Sequence, residues 1–120
     1  TCLHLAAIAG DEDIVNLLMS KGAKIDSKDL KGATPLHKAS EYNCTDVARV
    51  LLRQISIPLE ARDQDNYTPL LTAISYGSLA IVRMLIKEGA EIDVIDDEDK
   101  TAVYLAVEFD QNEVLKVCMQ

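Results

Sequence analysis

Apolar and polar positions follow two alternating patterns along the chain, and each pattern occurs four times. The first is a short, mostly apolar segment that begins with threonine, at residues 1–6, 34–39, 68–73 and 101–106. The second begins thirteen residues after each threonine, at residues 14–19, 47–52, 81–86 and 114–119. Its apolar residues are spaced i, i+3 and i+4, which predicts an amphipathic helix with one buried stripe. The chain is therefore expected to alternate two helices.

Residues that flank these segments predict where each helix begins and ends. Thr34 and Thr68 are N-cap residues, and each precedes a proline at the first helical position, where a missing N–H costs nothing. The first helix ends at residues that tolerate a left-handed backbone, Gly10, Asn43 and Gly77, with Asp110 in the fourth copy. The second helix ends at Gly22 and Gly89. The polar stretch that follows is too short for a helix and predicts a hairpin-like tip. Its turn residues are Gly32, Asn66 and Asp99.

The period of 33 or 34 residues, the Thr-Pro-Leu-His start at 34–37 and the Gly-Ala pair after the second helix together resemble the ankyrin repeat. The resemblance covers essentially the whole chain. It implies an all-α fold, a solenoid of stacked helix-turn-helix units with hairpin-like loops. One unit cannot bury its apolar stripe alone, so neighbouring units must stack. A single ankyrin-repeat domain is expected over 1–120, with repeats at approximately 1–33, 34–67, 68–100 and 101–120, the first and last truncated.

Two repeats depart from the ankyrin pattern. Repeat two lacks the Gly-Ala pair and has one inserted residue within 55–59, so its outer helix end and loop should differ from those of its neighbours. Repeat four has Ala102 in place of proline and Tyr104 in place of histidine, so its helix start should be less firmly set. Apolar residues of the first helix are expected to lie partly uncovered: Leu3, Leu5, Ala6, Ala7 and Ile8. We therefore expect a segment of a longer array.

The charge of the chain argues against two classes of partner. Its 12 Lys and Arg against 20 Asp and Glu give a formal net charge of −8 at pH 7. That charge opposes binding to nucleic acid and to an anionic membrane surface. No apolar run approaches the roughly 18 residues of a membrane span, and no signal peptide is visible. The three cysteines are odd in number and widely spaced, which favours reduced thiols and a cytoplasmic location, with a nuclear one also open.

The chain contains no evident catalytic motif, so we expect neither enzyme activity nor a cofactor. GxSxG, HExxH and phosphate-binding glycine-rich motifs are absent from the sequence. His4 and His37 share a repeat position where the ankyrin resemblance implies a hydrogen bond to neighbouring backbone rather than metal ligation. Cys44 precedes a helix, whose N-terminus would lower its pKa, but a packed thiol is the favoured interpretation. For the acidic run at 96–99, a solvated tip is favoured over a weak calcium site.

The ankyrin resemblance also implies which residues contact a partner, namely the variable tip positions and the residues near the end of each first helix. Mapped onto this chain, they are Leu30, Lys31, Glu41, Tyr42, Gln64, Asp65, Tyr67, Ser75, Tyr76, Asp97, Glu98, Lys100, Glu108 and Phe109. Four of the five aromatic residues of the chain fall in this set, and tyrosine is enriched at binding hot spots. Packing of these rings as filler is the alternative. The set also has more acidic than basic side chains, which favours a partner with a basic segment.

These features predict a protein–protein interaction module that binds a partner on the concave surface of hairpins and inner helices, without catalysis. The alternative is an internal structural or tethering segment of a long ankyrin array. Such arrays occur in the cytoplasmic region of ion channels, here of the transient receptor potential type, and in membrane-skeleton adaptors. In that case most contacts would be with flanking ankyrin repeats of the parent chain. Nothing in these residues supports an enzyme, the third hypothesis.

Overall fold

The computed structural model describes residues 1–54 and 56–108, and the helices in these ranges form two layers. The inner layer consists of α1 (Cys2–Ala9), α3 (Pro35–Glu41), α5 (Pro69–Ser75) and α7 (Ala102–Glu108). The outer layer consists of α2 (Glu12–Ser20), α4 (Thr45–Leu52) and α6 (Leu79–Lys87). In the first three units the inner helix packs against the outer helix, and neighbouring helices of each layer pack against each other among the described residues. The predicted all-α stack of helix-turn-helix units is thereby confirmed.

Local capping explains where the helices begin and end. The Thr34 hydroxyl accepts a hydrogen bond from the backbone N–H of His37 over 3.4 Å, and Pro35 occupies the first turn of α3, as predicted. The predicted turn residues adopt the left-handed backbone: Gly10, Gly22, Gly32, Asn43, Asn66, Gly77, Gly89 and Asp99. Asp110, predicted for the same role, and the second helix predicted at 114–119 lie outside the described residues.

The core is a thin layer of aliphatic side chains between the inner and outer helices. Its largest fully buried members include Leu36, Leu51, Leu70, Leu71, Ile74, Ile81 and Leu85. For three residues of α1, Leu3, Ala6 and Ala7, the expectation of uncovered surface was wrong. They are at most 5 % exposed because α1 packs against both α2 and α3. Leu5 is 67 % exposed, in agreement with that expectation, and Ile8 is half-buried.

Repeat two keeps the common architecture, and repeat four keeps its first helix within the described residues. Counted from the threonine that begins its repeat, helix α4 ends at Leu52, one residue earlier than α2 and α6 end in theirs. The outer helix of repeat two therefore differs from its neighbours, as predicted. Ile55, within the inserted segment, lies outside the described residues. In repeat four the backbone N–H of Tyr104 donates to the Thr101 hydroxyl over 3.2 Å, so α7 keeps the threonine cap without proline.

Three hairpin tips connect the units and lie beside the inner helices. The first spans residues 29–33, the second 63–67 and the third 96–100, and each is closed by one backbone hydrogen bond of 2.9 or 3.0 Å between its end residues. Neighbouring tips are also joined, since the backbone N–H of Gln64 donates to the carbonyl of Lys31 over 2.9 Å. This arrangement places a row of tips opposite a row of inner helices.

Candidate functional site

A groove runs between the hairpin tips and the inner helices α3 and α5. Its volume is about 590 Å³, within the size range of ligand pockets in proteins, and it is open to solvent. The second hairpin tip forms its centre, and the first and third tips form its ends. The residues that line it are Lys31, Ala33, His37, Lys38, Glu41, Asp63, Asp65, Tyr67, Thr72, Ser75, Tyr76, Asp96, Asp97 and Glu98.

The groove brings together many of the side chains that the sequence predicts to contact a partner. Those that line it are Lys31, Glu41, Asp65, Tyr67, Ser75, Tyr76, Asp97 and Glu98. Those that do not are Leu30, Tyr42, Gln64, Lys100 and Glu108. Leu30 and Gln64 are exposed at the first and second tips. Phe109 lies outside the described residues.

The tyrosines of the predicted set divide into two environments. Tyr42 and Tyr76 follow the last residues of α3 and α5, and their side chains are 51 % and 60 % exposed. Tyr67 is half-buried and packs against the core, so the filler alternative applies to it in part. Burial raises the pKa of both Tyr67 and Tyr76, and the carboxylate of Glu41 raises that of Tyr76 further. Both phenols therefore stay neutral at pH 7 and retain a hydrogen-bond donor.

Lys38 is a groove residue that was not predicted from the sequence. Its Nζ lies 3.4 Å from Asp29 Oδ2 and 3.4 Å from Glu41 Oε2, and only 14 % of its side chain is exposed. Burial alone would lower its pKa, but the two carboxylates outweigh burial and raise the pKa above its ordinary value. The spacing of Lys38 and Glu41 on one helix was visible in the sequence. The contact with Asp29 depends on how the first tip folds.

An aspartate at the start of each hairpin tip holds the turn. Asp29, Asp63 and Asp96 each accept hydrogen bonds through Oδ1 from the backbone N–H groups two and four residues later, at 2.8 to 3.0 Å. Such short-range bonds to Asp are a recurrent way to fix a turn. Asp96 is only 5 % exposed, so within the acidic run 96–99 it supports the turn rather than facing solvent. The carboxylates therefore help to hold the groove wall in place.

Negative charge dominates the lining of the groove. Six carboxylates and two lysines line it, and Lys38 is already paired with two carboxylates. Asp65 and Asp97 are exposed at the second and third tips, and neither forms an ion pair within 1–54 and 56–108. At the third tip, Lys100 Nζ lies 2.9 Å from Glu98 Oε2 and 3.1 Å from Glu108 Oε2. The charge of the groove thus complements a cation more than an anion.

The repeating units also match a known pattern along almost the whole chain. The family profile described as "Ankyrin repeats (3 copies)" matches residues 1–63 and 56–119. This chain belongs to the ankyrin-repeat family. Ankyrin repeats are a general protein-interaction module, and the groove lies on the surface formed by their tips and inner helices.

Several curated ankyrin-repeat proteins are similar to this chain. Ankyrin repeat protein nuc-2 of Neurospora crassa is 35 % identical over 88 % of the chain, and human Neurogenic locus notch homolog protein 1 is 33 % identical over 88 %. Rabankyrin-5 of Mus musculus is 30 % identical over 90 % of the chain. The matched regions make up 10 %, 4 % and 9 % of these three proteins, so the chain spans a small part of their length.

The histidines of this ankyrin-repeat chain attach inner helices to the hairpin tips that lead into the next unit. His37 Nδ1 accepts from the backbone N–H of Thr34 over 3.1 Å, so its other ring nitrogen carries the proton and donates to the carbonyl of Tyr67 over 2.7 Å. His4 Nε2 lies 2.7 Å from the carbonyl of Ala33 in the same manner. The predicted hydrogen bond from histidine to neighbouring backbone is confirmed. Burial lowers the pKa of His37, so the ring is neutral at pH 7.

The remaining candidates from the sequence have structural surroundings. Burial raises the pKa of the Cys44 thiol, whereas activation by a helix N-terminus would lower it. Cys44 Sγ lies 3.7 Å from the carbonyl of Ile8, so the thiol is packed against the first unit. Within the described ranges, no three His, Cys, Asp or Glu side chains converge as metal ligands would. The helices of residues 1–54 and 56–108 are all too short or too polar to cross a bilayer.

Proposed function

We propose that this chain binds a segment of another protein in the groove, and that the segment carries net positive charge. The observation that carries the proposal is the combination, in one groove, of the exposed ring of Tyr76 with the unpaired carboxylates of Asp65 and Asp97. A tyrosine ring supplies a large contact area at low entropic cost. The carboxylates attract a basic segment over several ångströms and raise its association rate.

The role we propose for the groove is binding without catalysis. The ankyrin-repeat family is typically a non-catalytic interaction module, and the two ionisable groups of the groove that lie on α3, Lys38 and His37, are held in place by other groups. Lys38 is held by two carboxylates and His37 by two backbone groups. A cytoplasmic location is part of the proposal, and the free thiols of Cys2 and Cys44 support it because thiols persist in reducing compartments.

Site-specific photo-crosslinking tests the proposed groove. A photoreactive phenylalanine analogue is placed at Tyr76 or, as the matched control, at Arg83, which is exposed on the outer helix α6. Both proteins are irradiated in cell extract, and the crosslinked peptides are identified by mass spectrometry. The proposal predicts basic peptides that crosslink from position 76 and not from position 83. The same peptides from both positions, or none that are basic from position 76, would contradict it.

A second candidate role is an internal segment of a long ankyrin array, as in a channel or membrane-skeleton adaptor. Ile14 and Leu17 on α2 are 45 % and 57 % exposed, whereas the equivalent Val47 and Val50 on α4 are at most 4 % exposed because α2 covers them. The exposed face of α2 therefore suits another repeat. Fusing a copy of residues 34–67 before Thr1 tests this role. Cooperative unfolding with a higher midpoint is expected, and independent unfolding of the added repeat would contradict it.

A further inference from the structure

At two hairpin tips the chain supplies its own lysine to bridge a tip carboxylate and a carboxylate of the following inner helix. In repeat two, Lys38 lies between Asp29 and Glu41, at 3.4 Å from an oxygen of each. At the third tip, Lys100 lies between Glu98 and Glu108, at 2.9 and 3.1 Å. The lysines come from different repeat positions, yet both place an ammonium group where a tip faces an inner helix.

The second hairpin tip has the same turn without a lysine. Asp63 Oδ1 accepts from the backbone N–H groups of Asp65 and Tyr67 at 2.9 and 3.0 Å, as Asp29 does one repeat earlier. Thr72 stands at the position of Lys38, and Tyr67 stands at the position of Lys100. Across the described ranges Asp63 forms no ion pair. Its second carboxylate oxygen corresponds to the atom of Asp29 that contacts Lys38.

The Thr72 hydroxyl gives an independent indication of a ligand at this position. Thr72 lines the groove and is only 6 % exposed, and its Oγ1 has no hydrogen-bond partner among the described residues. Buried polar side-chain atoms nearly always have a partner, and an exception calls for an explanation. The oxygen is itself inaccessible to solvent, so a donor from a bound partner would satisfy it after rotation of the Thr72 side chain toward the groove. Nearby, Ser75 Oγ donates to the carbonyl of Leu71 over 3.0 Å and keeps lone pairs free to accept.

We infer that the junction of the second hairpin tip with α5 binds one lysine or arginine side chain of the partner segment. The cation would contact the second carboxylate oxygen of Asp63, and rotation of the Thr72 side chain would let it donate to Oγ1 as well. The exposed carboxylate of Asp65 adds attraction, and the rings of Tyr67 and Tyr76 line the same groove, where aromatic faces favour a cation. This inference rests on the proposed function. It specifies that the partner segment places a lysine or arginine at the second hairpin tip.

Three variants isolate this subsite. Asp63→Asn keeps the oxygen that accepts both backbone hydrogen bonds and removes the negative charge. Thr72→Lys supplies a cation from the chain itself, in the way that Lys38 does one repeat earlier. Asp29→Asn is the matched control, because it makes the same chemical change at a tip whose cation belongs to the chain. Urea unfolding confirms that each variant is folded before its binding is measured. If Thr72→Lys does not fold, the comparison of Asp63→Asn with Asp29→Asn is the test.

The experiment uses peptides of about twelve residues selected from a random phage-displayed library on the intact chain. Affinities of the selected peptides are measured by fluorescence polarisation for the parent, the three variants and Tyr76→Ala. We expect a lysine or arginine in the selected peptides whose replacement with glutamine weakens binding at least tenfold, the scale of one charge-assisted hydrogen bond. Asp63→Asn and Thr72→Lys should cause a similar loss, and Asp29→Asn less than a threefold one.

The outcomes separate the inference from the proposed function. Peptides that lose affinity in Tyr76→Ala but bind Asp63→Asn and Thr72→Lys as tightly as the parent would overturn the inference and leave the proposed groove intact. Peptides whose binding is unchanged in Tyr76→Ala, or a library that yields no binder, would overturn both. Loss in Asp63→Asn and Thr72→Lys with retention in Asp29→Asn supports both.

Discussion

Replacement of His37 with alanine tests how the units of the stack are joined. His37 is 2 % exposed and contacts two backbone groups at opposite ends of repeat two, the N–H of Thr34 at 3.1 Å and, in the tip that leads to the next unit, the carbonyl of Tyr67 at 2.7 Å. Alanine removes both partners and leaves a space where the ring was. Helix α3 then begins with one unsatisfied N–H, and the second hairpin tip loses an attachment to α3.

The expected loss of stability follows from these contacts. The buried N–H of Thr34 is left without its partner, which costs about 1–3 kcal/mol. The Tyr67 carbonyl keeps the hydrogen bond from the backbone N–H of Asp63 over 3.0 Å, so losing the bond from His37 adds only about 1 kcal/mol. The Tyr67 carbonyl is only partly buried and the ring lines the groove, so water entering the space will recover part of this cost. We expect a decrease of about 3 kcal/mol in the free energy of unfolding. Leu5→Ala, on an exposed side chain of α1, should change it by less than about 0.5 kcal/mol.

The same residue should control part of the pH dependence of stability. Burial holds the pKa of His37 below 6.5, although the hydrogen bond to Tyr67 and the charge of Asp63 oppose this shift. Its contribution to stability is therefore complete above pH 6.5 and is lost as the pH falls through the lower folded pKa. The parent should lose more stability between pH 7.5 and 5 than His37→Ala does.

Urea unfolding followed by circular dichroism at both pH values measures these differences. A loss below about 1 kcal/mol at pH 7.5, or equal pH dependence in the parent and in His37→Ala, would refute the reasoning.

Three further predictions concern the tips. Gly32→Ala should destabilise by about 2 kcal/mol or more, because φ is +76° and a Cβ would lie 3.1 Å from a backbone nitrogen of the second tip. Gly22→Ala, with φ +89° and no atom within 4 Å, should cost about 1 kcal/mol; equal losses in urea unfolding would contradict this. Asp96→Ala should cost about 2 kcal/mol and Asp96→Asn less than half of that by the same measurement, since asparagine keeps the acceptor. Burial alone would raise the pKa of Asp29, but its backbone N–H donors and Lys38 hold that pKa below 3.8. The free energy of unfolding should therefore fall as the pH drops through 3.8 toward the lower pKa of the folded state. Lys38→Met should make that fall between pH 5 and 3 shallower, and an unchanged fall would exclude the ion pair as a cause.

The fold was predictable because its signals are local and repeated. The caps at Thr34 and Thr68 and the left-handed turns at Asn43 and Asn66 depend on residues within a few positions of each other. The burial of Leu3 was mispredicted because it depends on packing of α1 against α2 and α3, which the local pattern does not report.

The groove was predictable only as a set of repeat positions. The family pattern indicated Tyr76 and Asp65, which do line it. Lys38 and Thr72 were missed because they occupy an inner-helix position outside the expected contact set. Their roles depend on which side chain the neighbouring tip presents, and that is a tertiary feature.

Binding by the tyrosines of the predicted contact set is the most direct test of the central claim. The affinity of the peptide identified by crosslinking from position 76 is measured for the parent and for Tyr42→Ala, Tyr67→Ala and Tyr76→Ala, with urea unfolding of each. We predict a loss of more than about 1 kcal/mol in binding free energy for at least Tyr76→Ala while the stack remains folded. If all three variants fold and bind as the parent does, the groove is not the binding surface.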